Sequence, residues 1–394
     1  MSPINTTGSK AITGTTAIVR NPCELQVEVG SVIALRLFDI AYSIDLKQVE
    51  SLWTARSEGL VSRSRLSSTS AKSLTFDVPP VHLQLDTVTL SLGTKSYQAT
   101  VWARLYEFGV VAFSVRIPVS SMGWAAYCDL TNAVDQSIGP NVNSPLWNEL
   151  LQKICLPLKA AMVRPSNSLL EEDHLIAVVQ RWNQPVKGSD LPDLVDLIPI
   201  LSGEPRPLSE KTRQDLLNQR FSYYEDDLAV VTWDRAFVCE PRNDSDVTDI
   251  FEAANAQLLE FRYYDELLDD ELPRMYELVK EARRATNLLA PRRFADLARK
   301  LYTLVAEVTE LTEKAENVLL VTEDVYLARI YLASLEIFRV PTVSAAVDRK
   351  LSIVRDTYAA LYAEASGSRG ELLEVAIVVL IVIEIAIALM RHSS

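Results

Sequence analysis

The run ELLEVAIVVLIVIEIAIALM, residues 371–390, constrains this chain more than any other stretch. A segment apolar on every side must be surrounded either by lipid or by the rest of the protein. From Leu372 to Met390 there are 19 positions, 13 of them Leu, Ile or Val. As a helix they span about 28 Å, close to the thickness of a hydrocarbon core. The 13 aliphatic residues contribute about −4 to −8 kcal/mol to insertion, against about +3 kcal/mol for one central acid. Two glutamates interrupt the run. Glu374 lies in the first turn and reaches the interface, whereas Glu384 sits past the midpoint and needs a neutral form or a partner. A buried core helix is the alternative, but it would require the remaining chain to wrap a terminal helix that has no polar face. The run is therefore read as one transmembrane helix, residues 371–391. With one span per chain, Glu384 finds its neighbours on other copies or on another protein.

Upstream, glycine is scarce at 12 of 394 residues, which favours long helices over a purely stranded protein. Residues 1–22 lack the apolar core of a secretory signal and read as a disordered tail. Residues 29–44 read as a buried strand, and 45–53 as a helix capped by Asp45. The serine-rich stretch 57–73 reads as a solvated loop. From 81 to 119 the pattern alternates as strands do, with Gly109 at a bend or bulge. Helical patterns follow over 121–138 and 145–162, then strands over 174–182 and 227–239. Strands and helices mix without a regular βαβ rhythm, so residues 23–241 are expected to form an α+β domain.

Beyond Pro241 the chain is free of glycine to residue 366 and reads as long helices broken at Pro273, Pro291 and Pro341. Phe294, Leu297, Leu301, Leu304, Val308 and Leu311 repeat at alternating spacings of 3 and 4, as a coiled-coil seam requires. Val347, Leu351, Val354, Tyr358 and Leu361 repeat in the same way just before the apolar run. Two readings of these seams stay open: packing within a helical hairpin or bundle, and an oligomeric stalk. Residues 242–370 are thus expected to be a helical stalk or bundle.

Little in the sequence points to chemistry. There is no phosphate-binding loop, no nucleophile elbow and no paired Cys or His at zinc-ligand spacing. The four cysteines are widely separated and read as reduced thiols; the histidines are His82, His174 and His392. Acids cluster at 265–272 and basic pairs occur at 283–284, 292–293 and 299–300, both read as solvated faces. A net charge of −13 argues against direct DNA binding. No catalytic, cofactor-binding or metal-ligating residue is nominated, and no cofactor is expected.

Three stretches together resemble the "required for meiotic nuclear division" family. Phe108, Gly109, Val110, Val111 and Phe113 match its aromatic–Gly–Val–Val–x–Phe strand. Leu373, Glu374, Ile377, Leu380, Ile381 and Glu384 match its terminal membrane segment, and residues 335–354 its penultimate helices. The chain departs from the pattern at Val375, where the family has Trp, and across 318–331. The resemblance, covering roughly residues 100–391, implies a membrane-anchored oligomeric organiser without an established enzymatic activity. The expectation is accordingly a non-enzymatic homo-oligomeric scaffold on a membrane, its soluble part in the cytoplasm or a matrix-like compartment. Membrane lipid, further copies of the chain and other proteins are its expected partners. The alternative is an ion channel or transporter-like ring of single C-terminal helices.

Overall fold

The structure is a computed structural model describing residues 25–55, 61–63, 78–166, 170–242, 246–284, 290–316 and 325–363. Residues 1–22 and the apolar run with Glu374 and Glu384 lie outside the described residues.

The spine of the fold is β1 (Gln26–Asp39), and its composition dictates the architecture. Val32, Ala34 and Phe38 enter one hydrophobic core, while Ile33, Leu35 and Leu37 enter another. A strand apolar on both sides has to be covered on both faces. Around it runs a 10-stranded mixed sheet. β1 pairs antiparallel with β7 (Val110–Gly123) and with β9 (Glu171–Trp182). Beyond β7 lie β6 (Lys95–Leu105), β4 (Val81–Gln84) and β3 (Val61–Arg63), with β5 (Val88–Leu92) also on β6. Beyond β9 lie β12 (Arg235–Cys239), β11 (Leu228–Val231) and β10 (Arg220–Phe221), and β12 runs parallel to β9. A separate ladder joins β2 (Ala41–Ile44) to β8 (Met162–Pro165).

One face is covered by helices from within the first 216 residues. α1 (Leu46–Thr54) starts at Asp45, whose carboxylate accepts from the Lys47 and Gln48 amides at 3.0 and 3.1 Å, as the capping residue predicts. α2 (Trp124–Ile138) and α3 (Pro145–Leu158) bury Tyr127, Val134, Leu150 and Ile154 against the sheet. The short helices α4 (Leu191–Leu194), α5 (Ile198–Ser202) and α6 (Glu210–Leu216) complete the layer. Buried arginines stand here too: Arg235 reaches Asp135 at 2.6 Å and Asn132 at 2.8 Å on α2, and Arg36 reaches Glu171 at 2.6 Å while its Nη1 stays unpartnered.

The other face is covered by α7 (Val247–Arg284), against which α8 (Ala290–Glu316) and α9 (Val325–Ile337) pack; α10 (Val340–Ala363) joins the same core. Phe251, Ala254, Leu258, Phe261 and Leu268 of α7 share a core with the sheet residues Ile33, Leu35, Leu37 and Ile176. The region expected as a stalk or bundle is, in its described part, a bundle of helices laid on the sheet through α7, which makes it the third layer of an α/β/α sandwich. The sequence gives no sign that α7 joins this bundle to the sheet, because that contact is non-local.

Several boundaries differ from the sequence reading for identifiable reasons. Residues 29–44 form two strands because the chain leaves the main sheet at Ile40 to pair with β8. Residues 57–73 include β3, and 227–239 is a hairpin of β11 and β12. Pro273 does not end α7, since Leu268 and Met275 on either side are both held in the core. Pro291 and Pro341 fall in the first turns of α8 and α10, where a missing N–H costs nothing. Between α9 and α10 the axis bends by 62°, with Arg339 at φ 58°. Gly109 does sit at the expected bend: its φ is +97°, and a Cβ there would lie 1.6 Å from the Ala41 carbonyl oxygen.

Candidate functional site

Strand alternation and register bring together a set of residues that are far apart in sequence. Val101, Ala103 and Leu105 of β6 and Val111, Phe113 and Val115 of β7 point into the first core. The intervening residues, Trp102 and Arg104 on β6 and Ala112, Ser114 and Arg116 on β7, face the α7 layer. Across the ladders His82 lies opposite Arg104, Arg104 opposite Ala112, Trp102 opposite Ser114, and Arg116 opposite Ile33. Ala112 and Ser114 are small, so the sheet is hollow between the two arginines. The first turn of α7, with Thr248, Asp249 and Glu252, roofs the hollow and leaves a cavity of ≈150 Å³.

Charge is unevenly satisfied in this cavity. Arg104 is 7% exposed; its Nη2 donates to Asp249 Oδ1 at 2.8 Å and its Nε lies 3.2 Å from Glu252 Oε1. Tyr106 Oη donates to the same Glu252 oxygen at 2.9 Å. Burial works against the Arg104 charge, but Asp249 and Glu252 outweigh it and raise its pKa. Burial pushes the Glu252 carboxyl up to about 7, against the opposing pull of Arg104. Arg104 Nη1 and His82 Nε2 are buried without a hydrogen-bond partner. Burial, and then the Arg104 charge, push His82 down to about 3, so its imidazole is neutral at pH 7. Arg116 is half-buried and has no hydrogen bond or ion pair among the described residues. Burial lowers its pKa, partly offset by Asp249.

What this arrangement offers is donors. His82 is hydrogen-bonded to neither Ser114 nor Thr248, so no nucleophile and base stand joined in the cavity. Among the described residues no group of three or more His, Cys, Asp or Glu is placed to hold a metal ion.

The residues singled out in the sequence lie elsewhere. Leu297, Leu301 and Val308 of α8 and Val347, Leu351, Val354 and Leu361 of α10 are buried in the second core, with Leu304 and Tyr358 packed against it. Both seams are thus occupied within the chain; the side chains of Phe294 and Leu311 lie outside the described residues. The acidic cluster at 265–272 is only partly a solvated face: Lys350 of α10 binds Asp265 and Asp269 of α7 at 2.6 and 2.7 Å. His174 is packed between Phe251 and Phe338 with both nitrogens unpartnered, a neutral core group held near 3 by burial and the Arg235 charge. Cys128, Cys155 and Cys239 are free thiols.

Comparison with known proteins places this architecture. A family model described as "Uncharacterized protein MJ0711, N-terminal domain" matches residues 29–246, more than half of the chain. The chain belongs to this family. The MJ0711 N-terminal domain accordingly comprises the sheet and the first helical layer, and it stops one residue before α7. The protein MJ0711 of Methanocaldococcus jannaschii is 26% identical over 196 residues, which is 50% of this chain and 59% of that protein. The match therefore spans less than two thirds of the relative's length. No solved structure gives a significant match. Nothing in these comparisons supports the resemblance to the "required for meiotic nuclear division" family. The family domain carries His82, Arg104 and Arg116, whereas Asp249 and Glu252 come from the helix just beyond it. Sequence reasoning missed all five because polar residues alternating along a strand look like a solvent face. The only signal was the pair of arginines at matching parity on two consecutive strands.

Proposed function

We propose that this member of the MJ0711 family is a membrane-tethered binding scaffold, non-enzymatic, whose sandwich head receives a ligand on its second face. The observation that carries the binding half is the cavity itself: it presents cationic donors with free N–H groups and no joined nucleophile–base pair. The tether half rests on the sequence, where the 19-residue apolar run 372–390 lies beyond Ala363 of α10. Among the described residues no single helix is long and apolar enough to cross a membrane; α9 and α10 qualify only as a bent pair. Much of the apolar surface of that pair is spent in the second core, which leaves the 371–391 segment as the better span. Assembly into a homo-oligomer is part of the same proposal, supported now by Glu384 alone, since the heptad seams are already satisfied within the chain. The same proposal puts the head in the cytoplasm or a matrix-like compartment, a reading that the unpaired Cys128, Cys155 and Cys239 support.

Liposome flotation tests the tether. Full-length protein is expected to float with vesicles and a chain stopped at Ser368 to stay in the soluble fraction; equal behaviour of the two would refute the anchor.

A further inference from the structure

We propose that the cavity under the first turn of α7 is a binding site for a small monocarboxylate, with Arg116 holding the carboxylate and the hollow over Ala112 and Ser114 holding a short carbon body. The proposal rests on the reading of this face as one that binds rather than transforms its ligand.

Several independent features call for an anion. Arg116 is a half-buried cation with no partner among the described residues, a costly arrangement unless something outside the chain completes it. Arg104 is buried and donates Nη2 to Asp249, with Nε in ion-pair contact with Glu252, yet its Nη1 remains unpartnered. Above them the 38-residue helix α7 begins at Val247, so its positive end lies near the cavity. A guanidinium fork matches a carboxylate in geometry and binds it through two parallel N–H···O contacts.

Charge selects the class of anion. Asp249 and Glu252 already line the cavity and are committed to Arg104. The two cations already face these two carboxylates, so a phosphate dianion would add two negative charges to a balanced cavity, whereas a monocarboxylate adds one. Size and lining select the body. Ile33, Leu35, Ala112 and Ile176 form an apolar floor, and ≈150 Å³ is the size of cavity that accommodates a benzene ring. The site therefore suits acids between butyrate and benzoate.

Isothermal titration calorimetry on the detergent-solubilised full chain tests this, with sodium benzoate and sodium butyrate as probes and sodium phosphate as the dianion control. Saturable binding of either carboxylate is expected, with phosphate giving none. Arg116→Gln should weaken it at least tenfold and Arg116→Lys less, because a lysine keeps the charge but loses the fork. Ser114→Leu, which fills the hollow while keeping Arg116, should also abolish benzoate binding. An unchanged circular dichroism spectrum confirms that the variants are folded. Absence of carboxylate heat in the folded wild-type chain, affinity indifferent to Arg116→Gln, or Arg116-dependent binding of phosphate in place of carboxylate would each overturn the proposal. Proton NMR of the titrated sample separates this inference from the reading it rests on. An unchanged ligand supports both, while a ligand bound and then converted leaves the site standing and removes the non-enzymatic function.

Discussion

The two faces of the sheet are built from the same strands but treat polar groups differently. On the first face, the buried guanidinium of Arg235 has partners for both terminal nitrogens and Tyr127 reaches the carbonyls of Ser31 and Val178, although Arg36 Nη1 stays unpartnered. On the second face, orphaned atoms collect: Arg104 Nη1, His82 Nε2, both nitrogens of His174, both carboxylate oxygens of Glu260 and the hydroxyl of Tyr264. Buried polar groups without partners are rare in folded proteins because each forfeits its hydration. Their concentration under α7 marks the face where stability is sacrificed and where a ligand has something to gain. Apart from Leu25 and Val27 the first core lies within the family domain, whereas the second is closed by helices that begin after it.

That contrast can be broken most forcefully at Arg104. Arg104→Met would leave Asp249, Glu252 and Tyr106 crowded without their cation, and should cost about 3–5 kcal/mol in urea unfolding. A loss below about 1 kcal/mol, the size of an exposed pair, would mean that the network is not buried as described. Leu301→Ala probes the seam on the same face. It should destabilise the chain by about 2–4 kcal/mol without changing its mass in solution. A change of mass with little loss of stability would restore the oligomeric reading of the heptads.

A smaller effect of opposite sign is expected at Glu260. Burial, with Asp39 nearby, holds its carboxyl well above the ordinary carboxylate range. The folded chain therefore keeps that proton more tightly than the unfolded chain does. Its contribution is full below the ordinary range and declines as pH rises toward the folded value. Asp39 adds to the same trend, since burial raises it to about 7. Glu260→Gln should accordingly raise the melting temperature at pH 8, with the gain vanishing toward pH 4. A gain that is the same at both pH values would show that proton binding is not its source. Smallest of all should be Tyr302→Ala on the exposed side of α8, expected to shift stability by no more than about 0.5 kcal/mol.

Much of the first face was legible in the sequence. Asp45 announced α1, the alternation at 81–119 announced β4 to β7, and Gly109 announced its bend, because each is a local signal. The second face was not legible, since its decisive facts are non-local. The 3–4 repeats showed that α8 and α10 have an apolar stripe, but not that both pack into the core that α7 shares with the sheet. Arg104 and Arg116 looked like solvent-facing strand residues because nothing near them in sequence reveals that α7 begins above them. Only the register of β4, β6, β7 and β1 makes them neighbours.

The integral third layer is the claim on which the cavity and its ligand depend, and native-state hydrogen exchange tests it directly. If α7 is part of the sandwich, the amides of Phe251, Leu258 and Leu268 should exchange only through the same global opening as Ile33 and Leu37 of β1, with matching denaturant dependence. Exchange of the α7 amides through an earlier, separate opening that leaves β1 protected would contradict it and return residues 242–370 to a stalk.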